Sequence, residues 1–194
     1  MADDLLDAPV GELIDVLAQE EAPGGGSAAA VTVAMAAGLV VMVARASKDY
    51  WPEAGGTIGQ AETFLARVAP LAQADADAFK DALTILRRRE EVSERYRDQT
   101  LRDALEKSAE IPARIVEAGA DLACLAALLV ENGNQEVRAD AVVACLLAEG
   151  GARAAATLVE TNLGATQDDA RVRHVKSLVE VAGDAAKRAL TAAE

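Results

Sequence analysis

The sequence predicts an all-α protein folded as one domain over residues 1–194. Apolar residues recur at steps of three and four through most of the chain, which is the spacing of one helix face. Aromatic residues make up only 3% of the chain, and valines rarely alternate with polar residues over the length of a strand. No linker or internal repeat divides the chain, whose length suits a single core. We expect a bundle of about seven to nine helices.

The helices are predicted from their apolar spacing and from the residues that start and stop them. Their expected ranges are 10–19, 27–47, 57–70, 71–89, 93–109, 111–129, 135–148, 151–163 and 172–189. Pro70 is expected to break or kink a helix, because proline lacks the N–H that a helix interior needs, and a break between two helices is expected just before Pro112. Thr57 is expected to open a capping box, and Gly150 and Gly151 are expected to form a turn.

Segment 28–46 is an almost unbroken apolar run that approaches the length of a membrane span. It is rich in alanine and carries Thr32, Gly38 and Arg45. Small side chains allow neighbouring helices to pack closely. We therefore expect a central helix buried on all sides rather than a membrane anchor.

The composition argues against several classes of function. With 32 acidic and 19 basic residues the net charge is −13, which disfavours binding to nucleic acids or anionic membranes. Cys124 and Cys145 lie in apolar helical stretches without metal-ligand spacing, and we interpret them as reduced thiols of a cytoplasmic protein. His174 stands alone among charged neighbours, so we expect a surface side chain and no metal site. The acidic first residues do not match a secretory signal.

The glycine triplet Gly24, Gly25 and Gly26, followed by Ser27, is the most distinctive local pattern. Glycines are costly in a helix interior but allow close approach to the main chain. Ser27 stands where a helix N-cap is expected, and free N–H groups at such a terminus favour an anionic or accepting ligand. The surrounding residues fit neither a Walker loop nor a dinucleotide fingerprint. A ligand site is the functional interpretation, and a plain turn between helices is the alternative.

Helical projection at about 100° per residue places two carboxylates on apolar faces. Asp75 falls near Phe79 and Ala82, and Asp140 falls beside Val143 and Leu147. A carboxylate that faces a core must find partners or undergo a rise in its pKa, and such acids cluster where protons are transferred. We expect both carboxylates to converge on one cavity. The alternative is that each caps a helix end or pairs with an arginine.

Four motifs follow one another as in the cyclodeaminase/cyclohydrolase family. They are Pro23-Gly24-Gly25-Gly26-Ser27-Ala28-Ala29-Ala30, Asp75-Ala76-Asp77-Ala78-Phe79, Gly133-Asn134-Gln135-Glu136-Val137-Arg138-Ala139-Asp140 and Asn162-Leu163. Over residues 10–164 the chain therefore resembles this family, which includes the C-terminal domain of formiminotransferase-cyclodeaminase and methenyltetrahydrofolate cyclohydrolases. The resemblance implies an all-helical dimer that handles folate near the glycine-rich turn.

The resemblance also implies an enzyme of one-carbon metabolism. A cyclohydrolase adds water to the amidinium carbon of 5,10-methenyltetrahydrofolate, and a cyclodeaminase closes the ring of 5-formiminotetrahydrofolate and expels ammonia. Both reactions need a carboxylate near a cation and a group that moves protons, and neither needs a cofactor beyond the tetrahydrofolate substrate. The implied catalytic residues are Asp75 and Asp140, and the implied substrate-binding residues are Gly24, Gly25, Gly26, Ser27, Lys48 and Asn134.

Departures from the family pattern leave the activity open. Ala139 stands where the family often has serine, Lys48 alone remains of a lysine-rich stretch, and 85–89 replaces a Leu-Pro-Lys element. We favour a cyclohydrolase, because no formiminotransferase domain is present to feed a deaminase. A cyclodeaminase and a non-catalytic helical homodimer are the alternatives.

Two further expectations concern the glutamate tail of folate and the dimer. Arg45, Lys48 and the cluster 87–89 are candidate partners of the tail, with a solvated charged face as the other account of 87–89. The apolar seams 111–129 and 172–189, together with 28–46, are expected to pair two copies through a symmetric patch.

Overall fold

A computed structural model describes residues 4–19, 22–87, 94–163 and 169–194, with the side chains of 85–87, 94–105 and 107 left out of the description. The helices are α1 (Val10–Gln19), α2 (Gly25–Ala46), α3 (Ala54–Val68), α4 (Leu71–Arg87), α5 (Glu94–Asn132), α6 (Arg138–Leu163) and α7 (Ala170–Ala192), with a 3-10 turn at Gln135–Val137. Within the described ranges there is no strand, so the predicted all-α class is confirmed.

Helix α2 lies at the centre of the fold and packs against α3, α4, α5 and α6. Its buried side is built from small residues such as Ala30, Val33 and Val40, which allow these neighbours to come close. The expectation that α2 is buried on all sides is wrong, because Met35 and Met42 remain 53% and 42% exposed. The four neighbours leave one stripe of α2 uncovered.

Two segments, α2 and residues 135–163, are long and apolar enough to cross a membrane by length and composition alone. In α2, 56% of the most apolar window is buried inside the protein. A core helix passes the same length and hydropathy test. The packing of α2 against four other helices accounts for its apolar composition without a bilayer.

Helix α5 runs continuously through Pro112, so the predicted break at this residue is wrong. A proline within a helix leaves the carbonyl four residues earlier without its usual N–H donor. For Pro112 this is the carbonyl of Ser108, which accepts a hydrogen bond from Asn162 Nδ2 at 3.3 Å. A side chain from α6 thus replaces the missing donor and allows the long helix to continue.

Helix α6 also continues where a turn was predicted at Gly150 and Gly151. A Cβ added to Gly151 would lie 2.5 Å from Val33 Cγ2, so this glycine allows α2 and α6 to approach closely. Gly119 has the same role between α5 and α6, since its added Cβ would lie 2.9 Å from the Ala148 carbonyl oxygen. These glycines serve helix packing and not a change of chain direction.

Two predicted helix starts differ from the structure. Helix α2 begins at Gly25 with Gly24 as its N-cap, so Ser27 lies inside the first turn and is not the N-cap. Helix α3 begins at Ala54, ahead of the expected capping box, and the Thr57 hydroxyl donates to the Glu53 carbonyl. In both cases the helix extends toward its N-terminus beyond the residue with the strongest capping propensity.

Helices α2 and α6 run antiparallel. At one end the backbone N–H of Asn134 donates to Ser47 Oγ at 3.0 Å, and Asn134 Nδ2 donates to the Ala46 carbonyl at 3.3 Å. Further along, Gly151 of α6 packs on Val33 of α2. The start of α2 therefore lies near the end of α6, and the end of α2 lies near its start.

The close approach at Gly151 can be tested by substitution. Gly151→Ala should lower the free energy of unfolding by about 1–3 kcal/mol, because overpacking forces neighbours apart. Gly59→Ala is the matched control at an exposed position of helix α3, where an added Cβ meets nothing within 4 Å. It should stabilise the fold by about 0.5–1 kcal/mol. Urea denaturation of both variants measures the difference, and equal stabilities would contradict the packing role of Gly151.

Candidate functional site

Asp75 of α4 lies against the N-terminus of α2. A Cβ added to Gly26 would overlap the carboxyl group of Asp75, so only glycine allows this approach. Ser27 Oγ lies 3.2 Å from Asp75 Oδ2 and donates to the Ala72 carbonyl at 2.8 Å. The carboxyl group also accepts a hydrogen bond from the Ser27 backbone N–H. Helix α4 thus supplies an acid that the first turn of α2 holds in place.

The protonation of Asp75 depends on two opposing effects. Burial raises its pKa above the ordinary value of 3.8, because removal from water disfavours the charged form. The hydrogen bonds from Ser27 act in the opposite direction, since they stabilise the carboxylate. The net direction is upward. A carboxyl group with a raised pKa can exchange protons closer to neutral pH than an exposed aspartate.

A cavity of about 210 Å³ opens beside Asp75. It lies between the start of α2 and helices α4, α5 and α6. Its lining residues are Gly24, Gly25, Gly26, Asp75, Ala78, Phe79, Ala82, Leu83, Ser108, Pro112, Leu158 and Asn162. The walls are mostly apolar, and polar groups are concentrated near Asp75 and Asn162. Phe79 is 43% exposed, which is unusual for a large aromatic side chain.

The first turn of α2 adds hydrogen-bond donors to this cavity. Helix geometry supplies no acceptor for the N–H groups of Gly25 and Gly26. The positive end of the helix dipole lies at the same place. None of the three glycines has a left-handed φ, so positive φ is not their purpose. At Gly26 the requirement is room for Asp75, and at Gly24 and Gly25 no protein atom would meet an added Cβ.

Asn162 is a cavity residue to which the sequence analysis gave no role. Its amide Nδ2 donates to the Ser108 carbonyl, which leaves Oδ1 as an acceptor. The sequence holds one indication of this role: Pro112 leaves the Ser108 carbonyl without its usual donor, and the asparagine of the fourth family motif can supply one. Their contact was not readable from spacing, because it joins α5 to α6 across the fold.

The structure brings together four of the predicted site residues, namely Gly24, Gly25, Gly26 and Asp75. Ser27 is adjacent but only 1% exposed and does not line the cavity. Its hydroxyl links α2 to α4 through the Ala72 carbonyl and Asp75. Ser27 therefore positions the acid, which differs from the predicted direct contact with substrate.

Lys48, Asn134 and Asp140 lie at the opposite end of the α2–α6 pair. Asp140 is in the first turn of α6, whereas Asn162 is the last residue but one of that 26-residue helix. At about 1.5 Å per residue, about 33 Å of helix separates them. Asp140 and Lys48 are exposed. The prediction that Asp75 and Asp140 share one cavity is therefore wrong within a single chain.

The projection failed at Asp140 because α6 is apolar nearly all round. The arc that contains Asp140 and Val143 faces outward, and Val143 is 47% exposed. The buried face of α6 is instead formed by residues such as Ala141, Cys145 and Ala148. An apolar arc identifies the core of a chain only where the opposite arc is polar.

Asn134 has a structural role that accounts for its burial. Its Oδ1 accepts from the Glu136 backbone N–H at 3.0 Å and caps the 3-10 turn, while its Nδ2 donates to α2. Only 8% of the residue is exposed. A direct contact between its amide and a ligand would compete with these bonds.

The other titratable residues described lie outside the Asp75 cavity, and His174 is at the surface as predicted. Asp77 is exposed and accepts from Gln73 Nε2, and His174 is an exposed side chain 3.7 Å from Glu117. Cys124 and Cys145 are free thiols, and burial raises the pKa of Cys145 to about 12. The cluster 87–89 lies outside the residues whose side chains are described.

Comparison with known proteins places these features in a family. The family model of formiminotransferase-cyclodeaminase matches residues 9–181. The chain is 29% identical over 173 residues to a methenyltetrahydrofolate cyclohydrolase of Methylorubrum extorquens, a match that covers 83% of each chain. Its fold is similar to that of formiminotetrahydrofolate cyclodeaminase from Thermotoga maritima, with a TM-score of 0.81, 24% identity and 97% of each chain covered. The resemblance in sequence is thereby confirmed, and this chain belongs to the formiminotransferase-cyclodeaminase family.

Proposed function

We propose that this protein is an enzyme of folate one-carbon metabolism that hydrolyses 5,10-methenyltetrahydrofolate to 10-formyltetrahydrofolate. The observation that carries the proposal is Asp75, a half-buried acid with a raised pKa on a largely apolar cavity beside a helix N-terminus. The cyclohydrolase relative, which matches 83% of this chain, supports the choice of reaction.

In the proposed reaction, Asp75 acts on a cationic carbon. The Asp75 carboxylate offsets the positive charge of the amidinium group and accepts a proton from the attacking water. The water oxygen bonds to the amidinium carbon, the bond from that carbon to N5 breaks, and N5 takes up the proton that Asp75 accepted, which returns Asp75 to its carboxylate form. The second water proton passes to solvent. Ser27 supports this step by holding the carboxyl group at the edge of the cavity.

The other walls suit a flat heterocycle. The N–H groups at the start of α2 are donors for a ring carbonyl or ring nitrogen, and Asn162 Oδ1 is an acceptor in the same cavity. Phe79 lies one turn from Asp75 on α4 and offers an apolar wall. Gly24 and Gly25 leave the main chain open to close approach.

A cyclodeaminase is the second candidate, since the fold matches a protein of that name. Ring closure of 5-formiminotetrahydrofolate needs similar groups, namely a carboxylate beside a cation and a donor that protonates the departing ammonia. Because the sequence identity to that protein is only 24%, the match supports a common fold and not a common reaction. The relative of higher identity favours the cyclohydrolase. A non-catalytic dimer is disfavoured by the retained acid in its cavity.

We infer that the protein forms a homodimer in which, of the three expected apolar segments, only 28–46 takes part. The seams 111–129 and 172–189 pack within the chain, since α5 contacts both α6 and α7. The apolar surface that we propose for the contact is the α2–α6 face, defined by Met35, Gly38 and Met42 of α2 with Val143, Leu146, Gly150 and Ala154 of α6, all of them exposed. These seven residues carry no charge, so two copies of an acidic chain can meet there with little repulsion.

The α2–α6 face also lies between the two groups of predicted site residues. One group is Gly24, Gly25, Gly26 and Asp75 at the cavity, and the other is Lys48, Asn134 and Asp140 at the far end of the helices. In the dimer we propose, the two-fold axis lies in the interface perpendicular to α2 and α6, and it therefore reverses the direction of both helices in the second copy. The end of one subunit that carries Lys48 and Asp140 then approaches the cavity end of the other. In this proposal Asp140 and Lys48 of one subunit reach the substrate in the cavity of the other. Asn134 holds the chain next to them in place through its hydrogen bonds to Ser47, Ala46 and Glu136.

Substitution of Asp75 tests the proposed chemistry. Asp75→Asn should lower kcat for methenyltetrahydrofolate hydrolysis by about 10²–10⁴-fold, the usual contribution of a general acid or base. Asp77→Asn is the matched control, because Asp77 is an exposed aspartate in the same helix. The loss of methenyltetrahydrofolate absorbance measures the first activity, and ammonia release from 5-formiminotetrahydrofolate measures the second. Equal rates in the two variants would remove Asp75 from the mechanism.

The same variant should change how stability depends on pH. The raised pKa means that the folded state binds the Asp75 proton more tightly than the unfolded chain. This contribution to stability is complete below pH 3.8 and is lost as the pH rises through the folded pKa. Asp75→Asn should therefore gain stability relative to wild type as the pH rises through that window. Urea midpoints from pH 3.5 upward measure the trend, and a relative loss of stability would contradict the raised pKa.

The dimer can be tested at the centre of the α2–α6 face. Met35→Asp should shift the mass in light scattering from two chains to one, because it places a charge in the apolar interface. Val181→Asp is the control on α7, where a valine is similarly exposed at 49%. A shared site also predicts complementation: mixing Asp75→Asn with Asp140→Asn should restore about a quarter of wild-type activity through mixed dimers. A monomeric wild type with full activity would contradict both claims.

A further inference from the structure

A second cavity of about 220 Å³ lies between helices α3, α5 and α7. Its lining residues are Phe64, Arg67, Val68, Leu71, Arg114, Glu117, Ala118, Asp121, His174 and Leu178. It shares no lining residue with the Asp75 cavity. On α5, Pro112 faces the first cavity and Asp121 the second, and projection at about 100° per residue puts them on opposite sides of the helix. The two cavities are separate sites.

The charges of the second cavity are not balanced by direct pairs. Arg67 and Arg114 form no ion pair within the part of the chain that the structure describes, whereas arginines such as Arg45 and Arg153 are paired there. Glu117 lies 3.7 Å from the His174 ring. Burial raises the pKa of Asp121, with Glu117 adding to the rise and Arg67 opposing it. Arg67 and Arg114 are both exposed, so two guanidinium groups that form no ion pair among the described residues line one cavity and are accessible to a ligand.

The floor of the second cavity is apolar. Phe64 and Leu178 are partly buried, and Val68, Leu71 and Ala118 are buried. Such a floor gains free energy by covering the apolar part of a ligand. The volume of about 220 Å³ leaves room for a compact ligand such as one with a single aromatic ring.

We propose that this cavity binds a small organic carboxylate. Its carboxylate group lies against Arg67 and Arg114, whose guanidinium groups match carboxylate geometry, and its apolar body covers Phe64, Leu71 and Leu178. A single negative charge is favoured over a phosphate dianion because Glu117 and Asp121 line the same cavity. The site is independent of the proposed folate chemistry and involves no covalent step.

Calorimetric titration with benzoate tests this site on the full-length protein. Benzoate should bind in the millimolar range, and Arg67→Gln and Arg114→Gln should each weaken it at least tenfold. Arg153→Gln is the matched control, because Arg153 is an exposed arginine outside the cavity that pairs with Glu149. It should bind benzoate as wild type does. Circular dichroism checks that all variants are folded.

Two further probes separate the parts of the proposal. Benzyl alcohol keeps the ring without the charge, and inorganic phosphate keeps charge without the apolar body; both should bind at least tenfold more weakly than benzoate. Equal binding of either probe, no binding of benzoate, or benzoate binding unchanged by both cavity substitutions would overturn the proposal. These readouts do not involve turnover, so they are distinguishable from a failure of the folate reaction.

Discussion

The contact between Gly26 and Asp75 is the interaction on which the candidate site depends. It brings a carboxyl group onto the main chain of α2, where the hydroxyl and N–H of Ser27 hold it. A larger residue at position 26 would displace the acid and separate α4 from α2. The contact also explains the acid's raised pKa, since burial between two helices outweighs the hydrogen bonds that favour its charge. The close packing of α4 on α2 and the raised pKa of Asp75 therefore have the same structural cause.

The fold class, the glycine-rich turn and the inward-facing Asp75 could each be predicted from the sequence, because each rests on a local pattern. That the turn and the acid meet in one site was implied only by the family resemblance, since Gly26 and Asp75 belong to different helices. Helical spacing is local, and Asp75 interrupts an apolar arc that faces the core near Ala76 and Ala82, both buried. Asp140 interrupts an arc of the same kind, yet that arc faces outward. No local pattern distinguishes the two, since α6 is apolar on both sides and only its packing against α2 and α5 decides which side is inside.

The predictions that helices end at Pro112 and Gly151 were wrong for a related reason. Proline and glycine signal the end of a helix through local costs, namely a lost donor at Pro112 and lost chain entropy at Gly151. In this fold both costs are offset by contacts far away in sequence. Asn162 supplies the donor to the Ser108 carbonyl, and Val33 fills the space above Gly151. Helices with small, tightly packed residues can therefore continue through residues that would otherwise end them.

The correction at Pro112 concerns the candidate site itself. Asn162 satisfies the carbonyl that Pro112 leaves free, and both line the cavity beside Asp75. The continuity of α5 thus depends on the end of α6, and this same junction forms one wall of the site. Leu158, one turn before Asn162, also lines the cavity, while Ala154 on the preceding turn belongs to the α2–α6 face. A change in how two subunits pack on that face would reach the cavity through a single rigid helix, which is a physical reason for catalysis and association to be coupled in the proposed dimer.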